Sequence, residues 1–341
     1  MTQTTELLTP RARTAWRIVQ FAVWLVGTAI VLALLIRPAI GIHAFWNVLI
    51  PVAPALLVFA PGLWRNICPL ASTALLARHM DRSARNRVSS EWQGRLLLIG
   101  VIALFALVPL RHVVFDTSGP ATAIVLLALG AVAIVMGSRF EWKSGWCSGV
   151  CPVHPVERLY GTAPAISPPN AHCTSCERCV QPCPDSTPAL TPLSTKNGMP
   201  RRIAGLLMVG AFPGFIWGWF QVPDYAPGVG WSHLGNAYAY PLAASAVTLA
   251  AFLLLTTRMN GAWLTRAFAT AAVACYYWFR LPMLFGYGPI PGDGMLVDLT
   301  GTLGAWFPVA CRLTTTALFA WWLLLRAPVR RSWSQRPAFS S

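Results

Sequence analysis

Residues Ile18–Ile36 read IVQFAVWLVGTAIVLALLI, an uncharged apolar run bounded by Arg17 and Arg37. A helix rises 1.5 Å per residue, so about 20 such residues cross the ~30 Å hydrocarbon core of a bilayer. The stretch therefore reads as a transmembrane helix. It is too long for the apolar core of a secretory signal and has no small-residue cleavage site behind it, so a retained helix is expected. Working outward, apolar runs of similar length recur at Ala44–Leu63, Leu96–Phe115, Ala121–Gly137, Ile203–Val222, Tyr238–Thr256, Ala262–Phe285 and Leu303–Leu325. The composition agrees, with 55% hydrophobic and only 11% charged residues and a mean hydropathy of +0.55, which is the balance of a bilayer protein. The expected fold class is an all-α polytopic membrane protein with about eight transmembrane helices.

Eight spans put both termini on one side, and the charges test that arrangement. Of the 26 Lys and Arg residues, all but Arg37, Arg111, Arg280 and Arg312 fall on the side of the termini. Cytoplasmic loops are enriched in Lys and Arg, so the N-terminus, the C-terminus and the loop 139–202 are expected in the cytoplasm. The net charge of +15 is thus a topology signal. It needs no nucleic acid as partner, and no aromatics interleave with basic residues to suggest one. The chain divides into a four-helix unit over 1–138, the loop 139–202, a second four-helix unit over 203–326 and a basic tail over 327–341.

Loop 139–202 holds six of the nine cysteines. Cys173, Cys176, Cys179 and Cys183, with Pro184 behind, spell CxxCxxCxxxCP, the spacing that wraps a [4Fe–4S] cubane in bacterial ferredoxins. Two-residue gaps let a tight loop turn three thiolates into one concavity. Zinc usually takes ligands from two separated knuckles, and disulfides need an oxidising compartment, so iron is the expected metal of these four residues. Metal–thiolate bonds would also stabilise a segment too small and too proline-rich to build its own core.

Two shorter motifs accompany the run. Trp146–Pro152 reads WCSGVCP as the chain leaves the fourth span, and Trp64–Pro69 reads WRNICP as it leaves the second. Aligned on the Cys-Pro pairs, which are 83 residues apart, Cys68 matches Cys151 while Trp64 stands where Cys147 would. This reads as a degenerate repeat of a two-helix unit, and it predicts that Cys68 approaches Cys147 and Cys151 at the membrane surface.

Paired CxxxCP motifs after successive hairpins, followed by CxxCxxCxxxCP, resemble the NapH/NosR/CcoG group of membrane-bound ferredoxin-type proteins over roughly Arg17–Pro192. The resemblance implies a bacterial inner-membrane protein with a small cytoplasmic ferredoxin-like iron–sulfur loop. It also implies electron transfer through [4Fe–4S] clusters between a quinol or soluble donor and a membrane redox enzyme, or a role in oxidase assembly. The chain departs from the group in the cysteine lost to Trp64, in having one ferredoxin run, and in four last spans without a matching motif.

The cofactor-binding candidates are therefore Cys68, Cys147, Cys151, Cys173, Cys176, Cys179 and Cys183, seven thiolates where two cubanes want eight. Cys183 could join Cys68, Cys147 and Cys151, as the fourth cysteine does in two-cluster ferredoxins. Alternatively the run holds one cluster and the other three cysteines hold a second with a non-cysteine ligand, or there is one cluster and Cys147 and Cys151 are structural thiols. His154, His172 and Asp185 lie nearby. Cys275 and Cys311 sit in spans without ligand spacing and read as core residues.

Arg312 lies midway along the last span, where a cation is costly in hydrocarbon. It would either meet a quinone carbonyl near Tyr276, Tyr277 and Trp278 or bond neighbouring backbone carbonyls. His43, His112 and His233 fall near the outer surface, so haem held between two mid-span histidines is not expected. No Walker loop, dinucleotide fingerprint or nucleophile elbow occurs. The expected protein is an electron carrier rather than a stand-alone enzyme. Lys143, Arg178 and the loop around Arg82 would attract an acidic ferredoxin or flavodoxin. An assembly factor for a metalloenzyme and a membrane redox sensor are the alternative readings.

Overall fold

The computed structural model describes residues 8–166, 168, 170–172, 198–289 and 294–326. Among them the chain is helical, with a single isolated bridge between Asn86 and Phe140 and no strand. Seven helices are long and apolar enough to cross a membrane. They are α1 (Pro10–Ile36), α2 (Pro38–Phe59), α6 (Ser90–Leu107), α8 (Gly119–Arg139), α11 (Met199–Trp219), α12 (Gly230–Thr256) and α14 (Trp306–Leu325). Between them lie α3 (Pro61–Ile67), α4 (Pro69–Ala74), α5 (Leu76–His79), the π-helical turns α7 (Arg111–Phe115) and α9 (Lys143–Val150), and α10 (His154–Tyr160).

The remaining expected span, Ala262–Phe285, forms as the continuous helix α13 (Gly261–Leu284) but is not one of the seven apolar ones. The reason is its place. Leu264, Ala269, Ala272, Val273, Tyr277 and Arg280 on α13 are buried against neighbouring helices, and a helix shielded from lipid can carry Arg266, Thr270 and Arg280 without exposing them to hydrocarbon. At the other extreme, 6% of the α1 window is buried against 67% of the α11 window, so α1 is the most lipid-facing helix and α11 an inner one.

Helix starts follow local chemistry. The Thr9 hydroxyl accepts from the amide of Ala12, Ser89 from Trp92 and Ser118 from Ala121, while the Asn260 carboxamide accepts from Ala262 and Trp263. These are side-chain N-caps, and Pro10, Pro38 and Pro61 stand at first positions, where a missing amide costs nothing. The capped first turns are polar, which is why α1 and α6 begin before the apolar runs that announced them.

The main core joins α2, α6, α10, α11, α12, α13 and α14 through Val58, Val101, Tyr160, Phe215, Phe252, Tyr277 and Phe319. Tyr277 bridges a break in α2: its hydroxyl donates to the Pro51 carbonyl (2.7 Å) and accepts from the Ala55 amide (2.9 Å). A second core, of Ala71, Ala74, Leu75, Ala133, Trp142, Trp146 and Cys151, lies where α4 and α9 meet α8. There α4 crosses α8 at Gly137, where a Cβ would strike the Ala74 carbonyl.

Candidate functional site

Both Cys-Pro motifs fold into the same turn. Cys68 joins α3 to α4 at φ −57°, ψ 119°, and Cys151 follows α9 at φ −61°, ψ 119°. This extended conformation is what a residue before proline prefers. Proline has no amide, so the next free donors point back at the cysteine. The amides of Leu70 and Ala71 donate to Cys68 Sγ, and those of Val153 and His154 donate to Cys151 Sγ.

The turns differ in the helix that feeds them. The Cys68 amide donates to the Trp64 carbonyl four residues back (2.9 Å), whereas the Cys151 amide donates to the Trp146 carbonyl five residues back (3.0 Å). In hydrogen-bond register Trp64 therefore corresponds to Trp146, and Cys147 belongs to the residue inserted by the π-helical turn. Spacing from the cysteines had paired Trp64 with Cys147 instead. Such one-residue π insertions are frequent at functional sites.

The structure brings Cys68, Cys147 and Cys151 together. All three contribute to the second core, beside Trp142 and Trp146. Burial raises the Cys147 thiol well above its ordinary range, and the neighbouring Cys151 and Cys68 raise it further. Burial and Cys68 push Cys151 up to about 12, and burial raises Cys68 too. As free groups these residues stay thiols at neutral pH. A metal that binds thiolate would deprotonate them.

Charged and polar groups frame the pocket from both motifs. Arg65 on α3 pairs with Glu157 on α10, both nearly buried. Glu157 also meets His154 Nδ1 at 3.3 Å. Burial alone would raise the Glu157 carboxyl, but the Arg65 charge and the His154 bond bring it below the usual value; burial lowers His154, which is therefore neutral at pH 7. Arg78 on α5 reaches Glu141 at 3.4 Å, and the Asn86 carbonyl accepts from the Glu141 amide (3.0 Å). These bonds tie the segment after the first turn to the entry of the second. The Ala171 amide donates to Asn66 Oδ1 (3.0 Å), and His172 Nε2 lies 3.1 Å from the Arg65 carbonyl. The chain just before Cys173 is thus anchored beside α3. Cys173, Cys176, Cys179, Cys183, Arg178 and Asp185 lie outside the described residues.

Three buried polar atoms beside the cysteines have no partner among the described residues: Trp142 Nε1, Ser148 Oγ and His154 Nε2. Each such atom costs about 1–3 kcal/mol. Among the described residues no three His, Cys, Asp or Glu side chains close around one point as a single ion requires. A tetrahedral zinc would hold its sulfurs about 3.8 Å apart, given Zn–S bonds near 2.3 Å. A cubane binds each cysteine through a different iron and spaces them more widely. Soft sulfur donors, backbone amides and unpartnered N–H and O–H groups fit an anionic, sulfide-rich cluster.

No family model, curated protein or solved structure matches the chain.

At the opposite end of the bundle the structure relocates several residues. His112, placed from the sequence near the outer surface, lies at that end of the bundle and is 3% exposed; its Nδ1 bonds Asp224 and its Nε2 lies 3.1 Å from the Trp219 carbonyl. Arg111 sits between the rings of Trp46 and Trp219 at 5.5 and 5.3 Å and pairs with Asp116 at 3.0 Å. Arg280, counted from the sequence on the face opposite the termini, is 1% exposed on α13 and bonds Asn47 Oδ1 (2.7 Å) and the Trp46 carbonyl (3.1 Å). Arg312 donates to the Trp278 carbonyl (3.2 Å) and lies over its ring, the backbone-bonding arrangement weighed for it. Cys275 packs against the main core. The sequence signal for this charged end was available in Arg111, His112 and Asp116, clustered at the end of the apolar run Leu96–Phe115.

Proposed function

We propose that this chain is a membrane electron-transfer protein of the ferredoxin type that NapH, NosR and CcoG exemplify. The run Cys173, Cys176, Cys179 and Cys183 would hold one [4Fe–4S] cluster, and Cys68, Cys147 and Cys151 would hold a second. The observation that carries the reading is that two Cys-Pro turns 83 residues apart in sequence adopt one conformation and bring three cysteines to one core. A tandem of helical hairpins has no packing need for that coincidence.

When bound, such a cluster supplies one-electron transfer. The chain's own groups supply position and environment. Leu70, Ala71, Val153 and His154 direct amides at two of the sulfurs, and hydrogen bonds to cysteine sulfur raise the potential of a cluster. Trp142 and Trp146 are 2% and 0% exposed and keep water from the cysteines. The Arg65–Glu157 pair fixes one motif against the other.

Two features support partners on either side. A cavity of about 110 Å³ is lined by Phe45, Trp46, Leu104, Val125, Leu129 and Pro152, the last being the residue after Cys151. Its apolar lining supports a quinol as membrane donor or acceptor. Exposed Arg82, Arg87, Arg139 and Arg202 lie toward the cysteine end, and a cationic rim there supports docking of an acidic soluble carrier in a salt-dependent encounter.

Anaerobic purification with iron and acid-labile sulfide counting, followed by EPR of the reduced protein, tests the reading. About eight irons per chain are expected. About four would reduce the proposal to a single cluster, and an iron-free protein would overturn it.

A further inference from the structure

We infer that His154 is the fourth protein ligand of the cluster held by Cys68, Cys147 and Cys151, through its Nε2 atom. The inference rests on the two-cluster reading above and resolves its arithmetic, since seven cysteines leave one iron without a side chain.

Three observations single out His154. It follows Cys151 by three residues, and its own backbone amide donates to Cys151 Sγ, so its position is fixed relative to a ligand. Its side chain is 3% exposed, with Nδ1 on Glu157 Oε2 at 3.3 Å and Nε2 without a partner among the described residues. Metal-bound histidines show this division of labour, one nitrogen on the metal and the other donating to a carboxylate that fixes ring and tautomer. Finally, Glu157 is held by Arg65, three residues before Cys68, so the network that orients the imidazole spans both Cys-Pro turns.

The other candidates are already engaged or lie elsewhere. His172 has its Nε2 on the Arg65 carbonyl at 3.1 Å and its ring against Trp142. Glu157 is committed to Arg65 and His154. Asp185 lies outside the described residues.

Pulsed EPR of the reduced, anaerobically purified full chain, grown with ordinary or ¹⁵N-labelled histidine, tests the assignment. A strongly coupled nitrogen that changes with the label, persists in His172→Gln and vanishes in His154→Gln is the expected result. His154→Cys guards against a variant that merely misfolds. It should keep about eight irons per chain while losing the nitrogen coupling, and the potential of one cluster should fall, because a thiolate adds negative charge. About eight irons without histidine coupling would overturn the ligand and leave the two-cluster reading standing. About four irons, all lost in Cys176→Ser, would overturn the second cluster and its ligand together. An iron-free protein would overturn the whole reading.

Discussion

The turns at Cys68 and Cys151 share backbone angles, a following proline and a pair of amides on sulfur, yet one presents a single cysteine and the other two. The difference is one residue. An α-helical turn from Trp64 closes the first, and a π-helical turn from Trp146 closes the second. The extra residue lets Cys147 join Cys151 at the same pocket without moving the Cys-Pro unit. A repeat can thus gain a cysteine by a local change of helical register, while the hairpins around it keep their packing.

The largest expected effect comes from cutting the link between the turns. Arg65→Met strands the buried Glu157 carboxylate, and removing one partner of a buried ion pair costs about 3–5 kcal/mol. The thermal midpoint in detergent should fall steeply, and Cys68 and Cys151 should both become open to maleimide in iron-free protein. Arg65→Met with Glu157→Gln should recover much of the loss. Unchanged midpoints in the single variant would mean that the turns are held independently.

A smaller effect should separate the turns. A Cβ at Gly100 on α6 would lie 2.8 Å from the Val150 carbonyl, backbone of the second turn, whereas one at Gly27 on α1 would lie 3.3 Å from the Pro69 ring of the first. Gly100→Ala should cost about 1–3 kcal/mol, the usual range for overpacking, with labelling gained at Cys147 and Cys151 only. Gly27→Ala should cost less, because α1 is lipid-facing and can shift. Equal losses in the two variants would break the distinction between a clamped turn and a loose one.

The smallest effect belongs to the far half of the chain. Arg312→Leu removes one hydrogen bond and one ring contact at a half-exposed site, together worth about 1 kcal/mol. Iron content and quinol-linked reduction should not change; a loss of reduction would give Arg312 the ligand role that its backbone bond argues against.

Much of this was legible in the order of residues. Apolar runs located the membrane helices, because only long intrasegment hydrogen bonding satisfies a backbone in lipid, and the CP pairs announced their turns through proline. What was missed shares one cause. Arg280, His112 and Glu157 look like residues at a wet surface when read singly, since a charge is assumed to seek water. Each is buried and paired with a group from another segment: Asn47, Asp224 and Arg65 respectively. Helix α13 shows the same limit from the other side. Its polar residues are affordable only because neighbouring helices enclose it.

The sequence by itself determined the helical bilayer class, the uneven distribution of charge along the chain and the spacing of its cysteines. Those depend on local hydropathy, sign of charge and spacing, which need no knowledge of neighbours. Tertiary structure alone decided that Cys68, Cys147 and Cys151 meet at one core, that Cys147 reaches it through a π-helical turn, and that His154 is buried with one nitrogen unpartnered among the described residues. Those depend on which helices cross, and crossing is fixed by the packing of residues far apart along the chain.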